Sequence, residues 1–259
     1  MLLAVDIGNT NLHLGLFEGS RLLLEARVAA ASCPSGQALA HTLQGHLAPY
    51  LGTRTLCGAA ISSVVRGRAE TAAQACRSLC RGPVLLAQAD WDLGLAIEYR
   101  PPDHVGMDRL LAAAAAHAAV PAGTAAVVVD AGTAITVDAV TASGTYRGGL
   151  IMPGLRLGLA ALHSGTSLLP LVEPAGDAPL VGQSTAACLQ AGALHGQAAM
   201  VDGLYERVAR WLGTPVEGVL TGGDAALLRP QLTHFPRWDP VLVLRGLCLA
   251  FERLRGGPS

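Results

Sequence analysis

The stretch "AVDIGNTNLHL", Ala4 to Leu14, ends an apolar run on Asp6, turns through glycine, amide and hydroxyl residues, and enters a second alternating run. It recurs 124 residues later as "VVDAGTAITVD", Val128 to Asp138, again an apolar strand, Asp-x-Gly, and an alternating strand. Each copy continues into a glycine-punctuated strand, "FEGSRLLLEARV" after the first and "TASGTYRGGLIM" after the second. One Asp-x-Gly alone is compatible with a plain β-hairpin carrying Gly-Asn turn chemistry. Two copies half a chain apart point to two related α/β domains that grip one ligand from both sides. Gly8 and Gly132 admit positive φ and lack a Cβ, so backbone N–H groups can approach a phosphate there. A carboxylate aimed at the same point is tolerable beside phosphates only with a cation between them, so the repeat reads as a metal-nucleotide clamp.

Composition narrows the chemistry. The chain has 259 residues, enough for two domains. Charged residues make up only 14 % and the net charge is -1, which leaves no electrostatic footprint for nucleic acid or an anionic membrane. Sparse charge makes apolar patches hard to avoid, so a self-complementary interface, most simply a homodimer, is expected. All eighteen basic residues are Arg, which excludes a Walker phosphate loop, a Schiff-base lysine and the lysine of the protein-kinase fold. The six cysteines are scattered with no Cys-x-x-Cys, and the Cys76 and Cys80 spacing suits a packed helical face better than a metal pair. Reduced thiols, and an apolar start interrupted by Asp6, predict a cytoplasmic protein. The alanine-rich run Leu110 to Val129 is broken by His117, Pro121 and Gly123, and reads as a buried helix, a turn and a strand rather than a membrane span.

Between the repeats, "IEYRPPDHVGMDRLLAAAAAHAA" (Ile97 to Ala119) holds the chain extended at Pro101 and Pro102, releases it at Gly106 and opens a helix at Asp108 and Arg109. That acid-base pair has two readings. Asp108 can simply favour the positive end of the helix. Alternatively it accepts a proton from an alcohol attacking a γ-phosphate while Arg109 holds an anionic group in its planar fork. In the C-terminal half, "VEGVLTGGDAALL" from Val216 predicts a strand, a Gly-Gly turn and a helix capped by Asp224. The turn is either an ordinary connection or a side-chain-free opening for adenine or ribose.

The ordered set "DIGNTN" (Asp6), "ISSVV" (Ile61), "GLAIEYRPPDHVGMDR" (Gly94), "VVVDAGTAITVD" (Val127), "GGLIMPGL" (Gly148), "TSLLP" (Thr166), "VGQSTAACLQAGALHG" (Val181), "LTGGDA" (Leu220) and "DPVLVLRGL" (Asp239) resembles the type III pantothenate kinases almost end to end. The resemblance implies an α/β fold of two duplicated ribonuclease H-like, actin-like ATPase domains, residues 1–122 and 123–259. Each would be a mixed sheet flanked by helices, with the active site in the cleft between them. It implies transfer of the ATP γ-phosphate to the primary hydroxyl of pantothenate, the first step of coenzyme A synthesis, by a cytoplasmic homodimer. By the same resemblance Asp6, Ile7, Gly8, Asn9, Thr10, Asn11, Leu12 and His13 contact ATP, with Thr133 joining from the second repeat. Asp130 would bind a monovalent cation, K⁺ or NH₄⁺, and Mg²⁺ would arrive with ATP near Asp6. Asp108 matches the family's proton acceptor. Val105, Gly106, Met107, Asp108 and Arg109 match its pantothenate-binding stretch, and Tyr99 and Thr185 match further pantothenate contacts. Departures are confined to Arg66 and Gly67, where many relatives carry proline, and to Ile135.

The remaining tempting residues carry structural readings. No histidine has a ligand-spaced partner, the aromatics are too few for a base-stacking platform, and Trp91 is expected to pack. Asp138 and Arg147 are either polar lining or strand-end surface. Two rival functions stay in view, namely a superfamily kinase acting on a sugar or another hydroxy acid, and a non-catalytic regulator that binds nucleotide or pantothenate.

Overall fold

Both repeats open sheets of one topology in the computed structural model, which describes residues 1–52, 54–88, 90–101 and 104–256. In the first, β1 (Leu2–Ile7), β2 (Asn11–Glu18) and β3 (Arg21–Ala29) form an antiparallel meander. Helix α1 (Gly36–Leu51) leads to β4 (Gly58–Ser63), parallel to β1, and α2 (Arg68–Arg77) leads to β5 (Val84–Leu86), giving the order β3-β2-β1-β4-β5. After β6 (Ala96–Ile97) and α3 (Met107–Ala119), the second meander runs β7 (Ala125–Ala131), β8 (Ala134–Val140) and β9 (Thr145–Pro153). Helices α4 (Leu155–Ser164), α5 (Thr185–Ala191) and α6 (Gln197–Leu212) precede β10 (Val216–Thr221), which lies parallel to β7. Helix α7 (Ala225–Leu228), β11 (Arg237–Trp238) and α8 (Leu242–Gly256) complete the chain, and the sheet order is β11-β10-β7-β8-β9-β6. The expected pair of mixed sheets flanked by helices is therefore present, with the short β6 as an extra edge strand on the second.

The local reasons are visible in the strands. β1 and β7 sit in the middle of their sheets, covered on both faces, and so read as continuous apolar runs up to their terminal aspartates. One face of the first sheet, with Leu3, Val5, Leu12 and Leu14, packs on Leu39 and Leu43 of α1. Helix α1 starts at Ser35, whose side chain accepts a hydrogen bond from the Ala38 N–H at 3.2 Å. Helix α8 lies over β1, β2 and β4 and buries Leu244, Leu247 and Phe251. In the second sheet, Val127, Val129 and Val137 pack with Ala198 and Val201 of α6.

The chain divides into two compact units, Met1–Leu95 with Tyr99–Ala115 and Val241–Ser259, and Ala96–Glu98 with Ala116–Pro240. The last helix groups with the first repeat, across the linear division at 122 and 123 expected from the sequence. The alanine-rich run forms a helix, a turn and a strand as expected, and among the described residues no helix is long and apolar enough to cross a membrane. All six cysteines are free, and burial pushes the thiols of Cys76 and Cys248 up to about 12. Two expectations fail locally. Gly8 and Gly132 do not have positive φ. Space accounts for Gly8 instead, since a Cβ there would lie 3.2 Å from the Asn11 carbonyl oxygen. Asp224 occupies the N-cap position of α7 but makes no side-chain cap bond, because its carboxylate pairs with Arg156 of α4.

Candidate functional site

Strand register builds the site of the first unit. Asp6 at the end of β1 is directly opposite His13 of β2 and Ser62 of β4, and His13 is opposite Arg27 of β3. Directly paired residues share a sheet face, so Ser62, Asp6, His13 and Arg27 form one polar row across four strands. It lies on the face of β1 that α8 covers, because a Cβ on Gly15, two residues from His13 on the same face, would come 3.0 Å from Leu244 Cδ1. The row is well tied. The Ser62 hydroxyl donates to Asp6 Oδ1, and His13 Nε2 lies 2.9 Å from Glu25 Oε1. Ser62 and His13 are buried.

Burial pushes the Asp6 carboxyl up to about 6; the Ser62 hydrogen bond opposes this, the Asp108 charge adds to it and Arg27 subtracts. The Asp108 contribution puts the second predicted carboxylate within electrostatic reach of the first. Asp108 stands in the first turn of α3, where its Oδ1 accepts from the Arg109 N–H at 2.9 Å. A Cβ on Gly106 would be 2.4 Å from Asp108 Oδ1, so any side chain there would displace the carboxylate from this position. Arg109 and Val105 are buried, Gly106, Met107 and Tyr99 are half-buried, and all five belong to the first unit. Of the predicted ATP stretch, Ile7 and Leu12 point into the core, so only their backbone can serve a phosphate. Asn9, Thr10 and Asn11 are exposed at the hairpin tip.

The second unit repeats the arrangement. Asp130 ends β7 opposite Thr136 of β8 and Thr221 of β10, so each strand-end aspartate has a hydroxyl residue across its parallel neighbour. Beside it Gly222 has φ +102°, and a Cβ there would meet the Ala131 carbonyl oxygen at 2.4 Å and Asp130 Oδ1 at 2.5 Å. The Asp224 N–H donates to the same Ala131 carbonyl at 2.8 Å, and Arg156 anchors the Asp224 side chain. Thr133 is exposed in the hairpin loop. Thr185 opens α5, after Ser184 caps it by accepting from the Ala187 N–H. Thr185 also lines a largely apolar cavity of about 590 Å³ walled by Leu155, Leu159, Leu162 and Leu189. The α5 to α6 junction at this cavity is a π-helical turn, Gly192–Gly196.

Oxygen donors dominate both strand ends, which suits hard cations. Among the described residues no group of three or more His, Cys, Asp or Glu could hold a metal ion alone, so phosphate oxygens would have to complete any such site. The half-buried Asp6 carboxylate, within reach of the Asp108 charge, is a hard oxygen donor that fits a divalent cation, and Asp130 offers a second such donor at the end of β7. Sequence reading missed Ser62, Arg156 and the apolar cavity. Ser62 stood within a quoted motif, but its role depends on which strand lies beside β1.

Residues 2–207 match the family model of the type III pantothenate kinases. The type III pantothenate kinase of Moorella thermoacetica is 34 % identical over 255 residues, covering 98 % of this chain and 99 % of that one. Among solved structures, a Campylobacter jejuni protein described as a Baf family transcriptional activator superposes with TM-score 0.61 at 20 % identity, covering 98 % of this chain and all of that one. A Streptomyces griseus ROK family glucokinase, solved with glucose and AMPPNP, gives 0.52 at 13 % identity and covers 99 % of each chain. At those identities the two structures speak for the fold alone.

Proposed function

This chain belongs to the type III pantothenate kinase family, and on that premise we propose how its residues divide the work of moving the ATP γ-phosphate to pantothenate. It is an ATP-dependent kinase; the product is 4'-phosphopantothenate, and the reaction opens coenzyme A synthesis. The observation that carries the residue roles is that the charge of Asp108, in the first turn of α3, reaches the Asp6 carboxyl at the end of β1.

Asp108 takes the proton of the primary hydroxyl as that oxygen bonds to the γ-phosphorus and the bond to the bridging oxygen of ADP breaks. It stands in the first turn of α3, after the Val105 to Met107 stretch. Arg109 pairs with the pantothenate carboxylate through its planar fork, and Tyr99, Thr185 and the Val105 to Met107 backbone complete the acceptor site. The Asp6 to His13 hairpin and Thr133 hold the phosphates. When bound, Mg²⁺ at Asp6 and a monovalent cation, K⁺ or NH₄⁺, at Asp130 neutralise the charge of the triphosphate.

The protein acts as a homodimer in the cytoplasm. Leu168, Leu171, Leu180 and Val181 are 60–90 % exposed, apolar surface of the kind a second copy would cover. Six free thiols, with Cys57 and Cys188 exposed, suit a reducing compartment.

The test is phosphopantothenate formation from ATP and pantothenate in potassium and in sodium at matched ionic strength, beside a panel of sugars and hydroxy acids. Potassium-dependent product from pantothenate alone supports the whole reading. Product indifferent to the cation removes the role of Asp130, and turnover of another acceptor would redirect the substrate assignment. Pantothenate binding without product would favour a regulatory relative.

A further inference from the structure

We infer that Ser62, a residue with no assigned part in the reaction, is the positioning residue that holds the Asp6 carboxylate in place for the metal-bound nucleotide. The inference rests on the reading of Asp6 given above. Ser62 is 1 % exposed, on a strand whose same-face neighbours are Gly58 and Ala60. That face is narrow: a Cβ on Gly58 would lie 2.5 Å from the Phe251 ring, so α8 presses on it and admits only small residues. Alanine would satisfy the space. A hydroxyl buried there needs a partner, and the one it has is Asp6 Oδ1.

Asp6 and Ser62 are paired Cα to Cα across parallel β1 and β4, so the backbone ladder, not side-chain flexibility, sets their separation. The donated proton engages one carboxylate oxygen and thereby fixes the plane in which the other can face a cation. The adjacent Ser63 serves a different purpose, closing a local turn with Val65 through its hydroxyl, 3.1 Å from the Val65 N–H and 3.0 Å from its carbonyl. The second repeat supports the assignment independently: Thr221, also buried, is opposite Asp130 across the equivalent parallel pair. Hydroxyl beside strand-end aspartate is therefore a feature of the duplicated unit, with serine in one copy and threonine in the other.

The test is calorimetric binding of ADP, with Mg²⁺ and in excess chelator, to wild type, Ser62→Ala, Asp6→Asn and the double variant. A hydrogen bond to a charged group accounts for roughly a tenfold effect. Ser62→Ala should lose about tenfold of the Mg²⁺-dependent gain in affinity, keep its chelator affinity and its KM for pantothenate, and add no further loss in the Asp6→Asn background. If Ser62→Ala binds as wild type while Asp6→Asn is weakened, the inference fails and the role of Asp6 survives. If Asp6→Asn also keeps the Mg²⁺-dependent gain, the reading of Asp6 falls and takes the inference with it. Additive losses, or an equal loss in chelator, would make Ser62 a packing residue only.

Discussion

Asp6 and Asp108, one ending a central strand and the other opening a helix, sit close enough that the charge of Asp108 raises the proton affinity of Asp6. Two carboxylates at one sheet end repel each other unless positive charge joins them, and a cation carried by a nucleotide supplies it. Four predictions follow from this arrangement and its counterpart in the second unit.

Asp108→Asn keeps the size and the helix-terminal position of the side chain but removes the proton acceptor. Turnover should fall by roughly two to four orders of magnitude, the usual span of a general-base effect, with ADP affinity preserved. Steady-state rates and calorimetry check both parts, and an undiminished kcat would remove Asp108 from the chemistry.

Asp6 should make the ligand-free protein less stable as pH rises. Its carboxyl is pushed from 3.8 up to about 6, so between those values the folded protein binds more protons than the unfolded chain, and stability declines through that window. Above it the loss is complete, on the order of 2–3 kcal/mol. Asp6→Asn should therefore melt several degrees higher than wild type at pH 7.5 and no higher near pH 4, as differential scanning fluorimetry would read. Equal melting at both pH values would show that the carboxylate is not strained by burial.

Arg109→Lys retains the charge and loses the fork. The KM for pantothenate should rise about 10- to 100-fold with a smaller change in kcat, because a bidentate carboxylate contact is lost in ground and transition states alike. An unchanged KM would place the pantothenate carboxylate elsewhere.

Gly222→Ala introduces a Cβ into space already held by the Ala131 backbone and Asp130, at a φ of +102°. A loss of about 1–3 kcal/mol is expected from the backbone conformation alone, and potassium activation should weaken with it because Asp130 must move. Denaturant melts and a potassium titration of the rate are the measurements; full stability with normal potassium response would separate Gly222 from the Asp130 site.

Much of this molecule was legible in one dimension. Apolar runs ending in Asp-x-Gly, 124 residues apart, were enough to expect two sheets of common design, because a central strand needs apolar residues on both faces and its terminal acid then stands out. Lysine's absence excluded whole classes of phosphate chemistry, and Asp108 with Arg109 could be nominated because helix starts are read from local signals. Tertiary structure decided what depends on pairing between distant segments. That Ser62 faces Asp6, and that Asp6, His13 and Arg27 line up on one face, follows from strand register, which no local pattern specifies. Asp224, expected as a helix cap, answers instead to Arg156, 68 residues away. The return of α8 to the first sheet belongs to the same class: an amphipathic helix declares that it has a buried face, but only packing chooses the sheet it covers.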